Sequence, residues 1–201
     1  MNEEYDKFCR DGYMGGRCEA HIIGEHLDKC YYYDFTSLYP DVGRRRLPYG
    51  RPEKVNRDKI DRWNRRYKEK GRLPLIIGMM KFKIKSKDLD ALPLHGIKIK
   101  GKLIFPHFGD WTELTLWANE FNYGNSLDIY EYELLDAIHF GEQDAIRKYE
   151  KETFWDKGIL SGFFTEAVDK KALAKKEKKP ALAQSYKIVA NSGYGFWGLN
   201  A

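Results

Sequence analysis

The sequence has few of the features that mark secreted and membrane proteins. Only three of its 201 residues are cysteine, an odd number that supports no disulfide framework and favours a reducing compartment. No apolar run approaches the ~20 residues that a membrane-crossing helix needs. Residues 1–4 are acidic where a signal peptide would be basic. We therefore expect no membrane partner.

The residues that are abundant indicate a folded, basic protein. Hydrophobic residues make up 42% of the chain and aromatic residues 15%, which argues against disorder. The length is enough for one sizeable core or two small ones. The formal net charge of +5 suits a polyanionic partner without requiring one.

The first candidate site is the aromatic run at residues 31–40, which contains Asp34. The aromatic content of residues 31–33 predicts a buried strand, and Thr36 and Ser37 can cap a helix that follows it. A carboxylate at a strand end, followed by the free N–H groups of a helix, can hold a divalent cation and phosphates. An ordinary strand-to-helix joint with an exposed aspartate is the competing interpretation.

The second candidate site lies far downstream, on a helix predicted over residues 180–192. Lys187 and Asn191 are four residues apart, so they share one helix face and can contact one ligand. We expect Gly193 and Gly195 to end this helix and to allow a close approach of the backbone.

Together these stretches resemble motifs of the B-family DNA polymerases. Asp34 followed by Ser-Leu-Tyr-Pro resembles motif A, and Lys187 followed by Asn-Ser-x-Tyr-Gly resembles motif B. Residues 13–16, Tyr-Met-Gly-Gly, with Arg17 behind them, resemble the Tyr-x-Gly-Gly stretch of the protein-primed branch, which includes phage, adenovirus-like and linear-plasmid replicases. The resemblance implies an α+β fold with part of an antiparallel palm sheet, an inserted β-containing subdomain and antiparallel finger helices.

The resemblance also implies an order of domains. Lys187 follows Asp34 by 187 − 34 = 153 positions, which leaves room for an insertion that contacts a terminal protein in the protein-primed branch. Complete enzymes are several times longer and have a third motif with Asp-Thr-Asp after motif B, so we expect a fragment that is inactive alone. The predicted segments are 1–41, a connector and first palm segment with motif A; 42–110, the insertion; 111–140, a palm helix and strand; 141–192, the fingers with motif B; and 193–201, the return to the palm.

The implied activity is DNA-directed DNA polymerase, with Mg²⁺ or Mn²⁺ as cofactor and with a DNA template-primer and dNTP as partners. The protein-primed branch implies a terminal priming protein as a further partner. In this family two metal ions bridge the reacting groups. The resemblance makes Asp34 and Lys187 catalytic, with Asp34 and the Phe35 carbonyl as metal ligands. The implied nucleotide-binding residues are Ser37, Leu38, Tyr39, Lys175, Lys187, Asn191 and Tyr194. The implied DNA-binding residues are Tyr13, Gly15, Gly16, Arg17 and Gly195. The implied compartment is bacterial or virus-infected cytoplasm, or an organelle that carries a linear plasmid.

Two alternatives remain open. Cys18, His21, His26 and Cys30 have a spacing near that of a zinc knuckle, but the alternating faces of a hairpin predicted over residues 18–35 would scatter their side chains. We therefore expect no structural zinc. The chain could also be a non-catalytic, basic nucleic-acid-binding module or a polymerase relic, whose binding would not depend on Asp34 or Lys187.

The remaining patterns predict secondary structure. Asn56 and Gly71 are predicted to cap a helix whose basic face is solvated, contacts DNA backbone, or contacts an acidic priming protein. Strands are predicted over 75–85 and 96–105, the second with a turn at Lys100-Gly101. A helix is predicted from Asp110 to Phe121, and a strand over 127–140 with buried residues alternating.

Overall fold

The computed structural model describes residues 3–18, 23–25, 27–45, 52–73, 78–140 and 160–198, with side chains up to residue 192. The chain forms two compact units, residues 1–18 with 48–147 and residues 19–47 with 148–201. None of the described helices is long and apolar enough to cross a membrane.

The first unit is built on an antiparallel sheet. Its elements are α1 (Glu3–Asp11), β1 (Pro52–Lys54), α3 (Arg57–Lys70), β2 (Gly78–Ser86), β3 (Ile97–Ile99), β4 (Lys102–Ile104), β5 (Thr112–Trp117), α4 (Ala118–Ser126) and β6 (Tyr130–Phe140). The strands of the sheet stand in the order β1-β6-β2-β5, and β3 and β4 form a separate hairpin. Segments 42–110 and 111–140 both contribute strands to the larger sheet, so the predicted boundary at residue 110 falls inside this unit.

Aromatic rings fill the core between this sheet and its helices. Phe82 of β2 stacks on Phe121 of α4 with ring centroids 4.7 Å apart, and Tyr132 of β6 meets Phe121 edge-on at 5.0 Å. Such pairs add specific geometry to the burial of a large apolar area. The β6 prediction is confirmed, because Tyr130, Tyr132 and Leu134 are buried while the residues between them are exposed.

Helix α3 forms as its local chemistry predicts. The Asn56 side chain accepts a hydrogen bond from the Lys59 backbone at 3.0 Å, and Gly71 ends the helix in the left-handed conformation, with φ 63°. The side-chain amide of Asn64 both donates to the Leu134 carbonyl (2.8 Å) and accepts from the Leu134 N–H (2.9 Å). These bonds fasten α3 to β6 next to a register shift in the sheet.

The turn predicted at Lys100-Gly101 is also confirmed. Both residues have positive φ, 50° and 78°, and they join β3 to β4 as a two-residue hairpin loop. A type I′ turn needs this conformation because its twist matches that of the flanking strands.

One prediction in the first unit is wrong. Residues 112–117 form β5, which pairs with β2, and the helix begins only at Ala118. The Glu120 side chain accepts from the Trp117 N–H at 2.9 Å, so Trp117 is the N-cap and the helix starts eight residues after Asp110. Residues 3–11, in the segment predicted as a connector, form α1, with acidic residues in its first turn.

The second unit contains a short helix and a helical hairpin. These are α2 (Leu38–Gly43), α5 (Ser161–Lys176) and α6 (Pro180–Gly198). Lys178 turns the chain with φ 58°, and Lys170 of α5 lies over the Tyr186 ring of α6 at 6.0 Å. These two residues are equally far from the turn, so the helices run antiparallel, as expected for the fingers.

The second unit also corrects two predictions. The α6 backbone continues through Gly193 and Gly195 to Gly198, because its hydrogen bonds outweigh the low helix propensity of isolated glycines. Residues 30–35 form no strand, and the side chains of Tyr31, Tyr32 and Tyr33 are exposed. The first predicted strand of that hairpin falls mostly on residues 19–22, outside the described residues.

The buried side chain of His95 makes the stability of the first unit depend on pH. The side chain is 3% exposed, its Nε2 lies 2.8 Å from the Tyr132 hydroxyl, and burial lowers the pKa of His95 to about 4. The unfolded imidazole keeps a pKa near 6.5, so below that pH the unfolded state binds a proton that the folded state does not. The contribution of the neutral, buried His95 to the free energy of unfolding is therefore fully present above pH 6.5, and it is lost as the pH falls towards 4.

We expect urea unfolding to show a loss of about 2 kcal/mol between pH 7 and pH 5 from this group alone. His95→Phe should remove most of that pH dependence, whereas the same experiment on His107→Gln, at an exposed histidine, should leave it unchanged. An unchanged pH dependence in His95→Phe would contradict the assignment.

Candidate functional site

The candidate site begins at the start of α2. Ser37 has the left-handed conformation, with φ 57° and ψ 39°, and its side chain forms no capping bond with the helix. The Ser37 carbonyl nevertheless accepts the first helical hydrogen bond, from the Asp41 N–H at 2.9 Å. A non-glycine residue in this region is uncommon and costs conformational energy. The strained turn leaves the Ser37 hydroxyl available to another partner.

That partner is Lys171 of α5. Its Nζ donates to the Ser37 hydroxyl at 3.2 Å, across 134 positions of sequence. The resemblance implies Lys175, and not Lys171, as the nucleotide-binding residue of this helix. The sequence does not single out Lys171 because the chain turns before Pro180, so α5 and α6 are separate helices. The spacing between Lys171 and Lys187 therefore does not tell which face of α5 contacts α2. Lys175 lies in the last turn of α5.

Helix α2 is held on the helical hairpin by buried contacts. Pro40 and Phe164 are both fully buried, and a Cβ placed at Gly43 would overlap the Phe164 ring. Only glycine therefore allows α2 to approach α5 this closely. The contact fixes the position of Ser37 relative to the fingers hairpin.

The hairpin itself is joined by a seam of small residues. The alanines at positions 167 and 174 of α5 and at 183 and 190 of α6 are buried. Lys187 follows Ala183 by four residues and precedes Ala190 by three, so it lies on the edge of this seam, while remaining exposed. Asn191 is exposed one turn later. Lys187 and Asn191 therefore lie on one face of α6, as the sequence predicts.

Asp34 is exposed and has no hydrogen-bond or ion-pair partner among the described residues. Asp41, the other acidic residue of this stretch, is already paired with Arg44 (3.0 Å) and Arg45 (2.8 Å). The hydrogen bond from Arg45 lowers the pKa of Asp41. Of these two carboxylates, Asp34 is the one available to a cation.

The described residues do not make a complete site for two magnesium ions. They contain no group of three or more His, Cys, Asp or Glu side chains that could hold a metal. The predicted ligands, Asp34 and the Phe35 carbonyl, would offer one carboxylate and one neutral oxygen to the two ions of a two-metal mechanism. Cys18 and Cys30 are exposed, and the other two residues of the zinc-like spacing, His21 and His26, lie outside the described residues.

Around Asp34 the chain exposes an unusual amount of aromatic surface. Tyr32 is 91% exposed, and the Tyr31 and Tyr33 rings stack on one another at 6.4 Å. Lys29 Nζ lies 5.1 Å from the Tyr31 ring centroid. On the other side of Asp34, Phe35, Leu38 and Tyr39 are also exposed.

The Tyr-x-Gly-Gly stretch belongs to the first unit. The Tyr13 carbonyl accepts from Lys98 at 2.7 Å, and the Arg17 guanidinium donates to the Pro93 carbonyl and lies 4.6 Å from the Phe105 ring centroid. Between these anchors, a side-chain atom at Gly15 or Gly16 would meet no other atom within 4 Å. The backbone at Gly15 and Gly16 is therefore open to solvent and to a ligand. The roles of all these residues in DNA binding stay predictions.

Two predicted residues, Tyr194 and Gly195, lie on the part of α6 for which only the backbone is described. Their side-chain surroundings are outside the described residues. Their predicted contacts with nucleotide and DNA stay predictions.

Comparison with known proteins agrees with the motifs. The fold is similar to that of phi29 DNA polymerase in an orthorhombic crystal form, with a TM-score of 0.50 and 20% sequence identity over 82% of this chain and 25% of that chain. This chain thus spans about a quarter of that polymerase. No curated protein matches the sequence. A family model described as DNA polymerase type B, organellar and viral, matches residues 1–201. Because that match runs the length of the sequence, the chain belongs to the type B DNA polymerases of organelles and viruses.

Proposed function

We propose that this chain contributes motif A and the fingers to template-directed, magnesium-dependent addition of deoxynucleotides to a DNA primer. The observation that supports the proposal most directly is the hydrogen bond from Lys171 to Ser37. It joins the motif A turn to the hairpin that carries Lys187, within one compact unit. Such an arrangement suits a ligand that needs a carboxylate-bound cation and protein cations together.

The triphosphate of a nucleotide is the ligand that fits these charges. Lys187 is exposed on the edge of the hairpin and can neutralise phosphate oxygens by charge-assisted hydrogen bonds. Lys171 is a second cation, already directed to the motif A turn, and can exchange its bond with Ser37 for one with a phosphate. Asn191, one turn beyond Lys187, is proposed to contact the sugar or base.

Residues 37–39 are proposed to receive the rest of the nucleotide. The resemblance assigns phosphate contacts to the backbone near Ser37 and Leu38, and assigns the space beneath the sugar to Tyr39. A tyrosine ring there would clash with a 2′-hydroxyl and favour deoxynucleotides over ribonucleotides. Lys175 and Tyr194 remain proposed as further nucleotide contacts.

Catalysis requires more than these residues. Magnesium, when bound, supplies electrostatic stabilisation of the phosphoryl oxygens. Asp34 is proposed as one carboxylate ligand, and a second carboxylate has to complete the set. What this chain supplies on its own is the positioning of the nucleotide and the neutralisation of its charge.

Protein priming is proposed from the branch that the Tyr-x-Gly-Gly stretch resembles. In that branch a side-chain hydroxyl of a terminal protein replaces the first primer hydroxyl. The separation of 153 positions between Asp34 and Lys187 leaves room for a surface that such a protein would contact. A terminal priming protein is therefore proposed as a partner beside DNA and dNTP.

Nucleotide binding tests the proposal. We expect a fluorescent dNTP to bind the chain in a magnesium-dependent manner, and Lys187→Ala to weaken that binding by about 10- to 100-fold, since a hydrogen bond to a charged group contributes about 1.5–3 kcal/mol. Asp34→Ala should abolish the dependence on magnesium. Lys179→Ala is the control, because Lys179 is a cation of the same hairpin that is paired with Glu177 at 2.8 Å.

A non-catalytic basic binding module is the competing function, and the same titrations separate the two. Such a module would bind nucleotide equally well with and without Asp34 and Lys187. Equal affinity of wild type and both variants would therefore reject the polymerase proposal.

A further inference from the structure

The outer face of α3 carries a straight row of cations. Lys59, Arg62, Arg66 and Lys70 follow one another at intervals of three, four and four residues, so their side chains line one side of the helix. From Lys59 to Lys70 the helix rises by eleven residue steps, so the row extends about 16 Å. Arg62, Arg66 and Lys70 are exposed, and Lys59 is half-buried.

Within the described part of the chain, none of these four side chains has an ion-pair partner. Six other cations in or next to the described helices are paired with a carboxylate one turn away. Each neighbouring pair within the row is a like-charge pair at i,i+3 or i,i+4 spacing, which destabilises a helix. The paired cations are Lys7 with Asp11, Arg10 with Asp6, Arg44 and Arg45 with Asp41, Arg57 with Asp61, and Lys170 with Glu166.

The row is held rigidly. On the adjacent, core-facing side of α3, Ile60 is 2% exposed, and Trp63 and Tyr67 pack against the core. The Tyr67 hydroxyl donates to the Asn125 side chain at 2.7 Å, and the Asn125 amide donates to the Gly71 carbonyl at 2.9 Å. The cations are therefore presented at fixed spacing by a helix that is fastened along its length and at its end.

The chemistry of this face fits the phosphate backbone of a duplex. Phosphates repeat every 3.4 Å of axis on each strand, so about 16 Å of row spans about five base pairs. Single-stranded nucleic acid is held by aromatic side chains that stack on its bases, and the aromatic residues of α3 face the core instead. A rigid row of cations that has no exposed aromatic side chains for bases to stack on therefore favours a duplex over a single strand.

We propose that Lys59, Arg62, Arg66 and Lys70 of α3 form a docking surface for the phosphate backbone of duplex DNA, independent of base sequence. The identity of the polyanion as DNA rests on the proposed function. The surface lies outside motif A, motif B and the Tyr-x-Gly-Gly stretch. It would hold DNA through charge alone and would not take part in the chemistry.

The test is the salt dependence of DNA binding by the whole 201-residue chain. A fluorescein-labelled 20-base-pair duplex is titrated in EDTA without nucleotide, so that neither Asp34 nor a metal contributes. In the triple variant Arg62→Ala/Arg66→Ala/Lys70→Ala we expect the slope of log Kobs against log salt to become about 2.7 less steep, or 0.9 for each lost phosphate contact. Affinity at 0.1 M salt should fall on the order of 10²-fold.

The matched control removes the same net charge from paired lysines. Lys7→Ala/Lys81→Ala/Lys87→Ala deletes the partners of Asp11, Glu113 and Asp128 and should leave the slope nearly unchanged. Arg62→Lys/Arg66→Lys, which keeps both charges, should also retain it. Circular dichroism verifies that each variant is folded.

Equal loss in the two alanine triples would overturn the proposal, because binding would then follow net charge only. An unchanged slope in the α3 triple would also overturn it and would point to an acidic protein surface as the occupant. A single-stranded 20-mer that binds as tightly as the duplex, and loses as much in the α3 triple, would contradict the choice of a duplex. If the dNTP titrations fail while the α3 effect is present, the polymerase proposal falls and the docking surface stands.

Discussion

The 201-residue chain alone is expected to leave a primed DNA template unextended in the presence of all four dNTPs and magnesium. The described residues contain no group of three or more metal-binding side chains, and Asp34 is a single exposed carboxylate. One carboxylate does not hold two divalent ions against water. Two-metal stabilisation is worth several kcal/mol, so its loss lowers the rate by a factor on the order of 10³ or more.

A gel-based extension assay measures this directly, with a complete type B polymerase on the same template as the positive control. Incorporation by this chain that disappears in Asp34→Asn would contradict the prediction. It would mean that the ligand set is completed by residues outside the described ranges. Incorporation that persists in Asp34→Asn would indicate a contaminating polymerase.

Replacing Phe164 by alanine is expected to destabilise the second unit by about 3–5 kcal/mol. The ring is 2% exposed and fills the space against Gly43, so its removal leaves a cavity at the contact between α2 and α5. The Ser37–Lys171 bond depends on that contact. We therefore also expect weaker dNTP binding in Phe164→Ala, and urea unfolding followed by circular dichroism measures the loss of stability.

A double-mutant cycle separates this contact from a general loss of packing. Gly43→Ala should be destabilising in the wild type, where the new Cβ overlaps the Phe164 ring, although alanine is the better helix former. In the Phe164→Ala background the same substitution should become neutral or stabilising, by up to about 1 kcal/mol. Gly162→Ala is the control, since a Cβ there meets no atom within 4 Å. Additive effects of Gly43→Ala and Phe164→Ala would refute the contact.

Where local chemistry decides the structure, the sequence is a reliable guide. Helix α3 follows from the cap at Asn56, the left-handed stop at Gly71 and the apolar residues between them. The β3–β4 hairpin follows from a turn that glycine favours, and β6 from its alternation of buried and exposed residues. In each case the interactions involved lie within a few residues of one another.

Where pairing or packing decides, the same kind of reasoning fails. Residues 112–117 were expected to start a helix, yet they pair with β2, and their alternating Thr and Leu residues were the available signal. Residues 31–33 have the composition of a buried strand, but a strand also needs a neighbour to satisfy its backbone, and composition does not supply one. Helix α1 was missed although its i,i+4 ion pairs, Lys7–Asp11 and Asp6–Arg10, are readable from the sequence.

The amino-acid sequence by itself determined the family of this chain and the residues that carry its motifs, because Asp34, Lys187 and Asn191 are identified by residue type and spacing alone. Only the tertiary structure revealed that Gly43 seats α2 on Phe164 and that Lys171 then reaches Ser37. The physical reason is distance along the chain. A contact across 134 positions depends on how two packed helices meet, and that is set by the shapes of buried side chains and not by any local pattern.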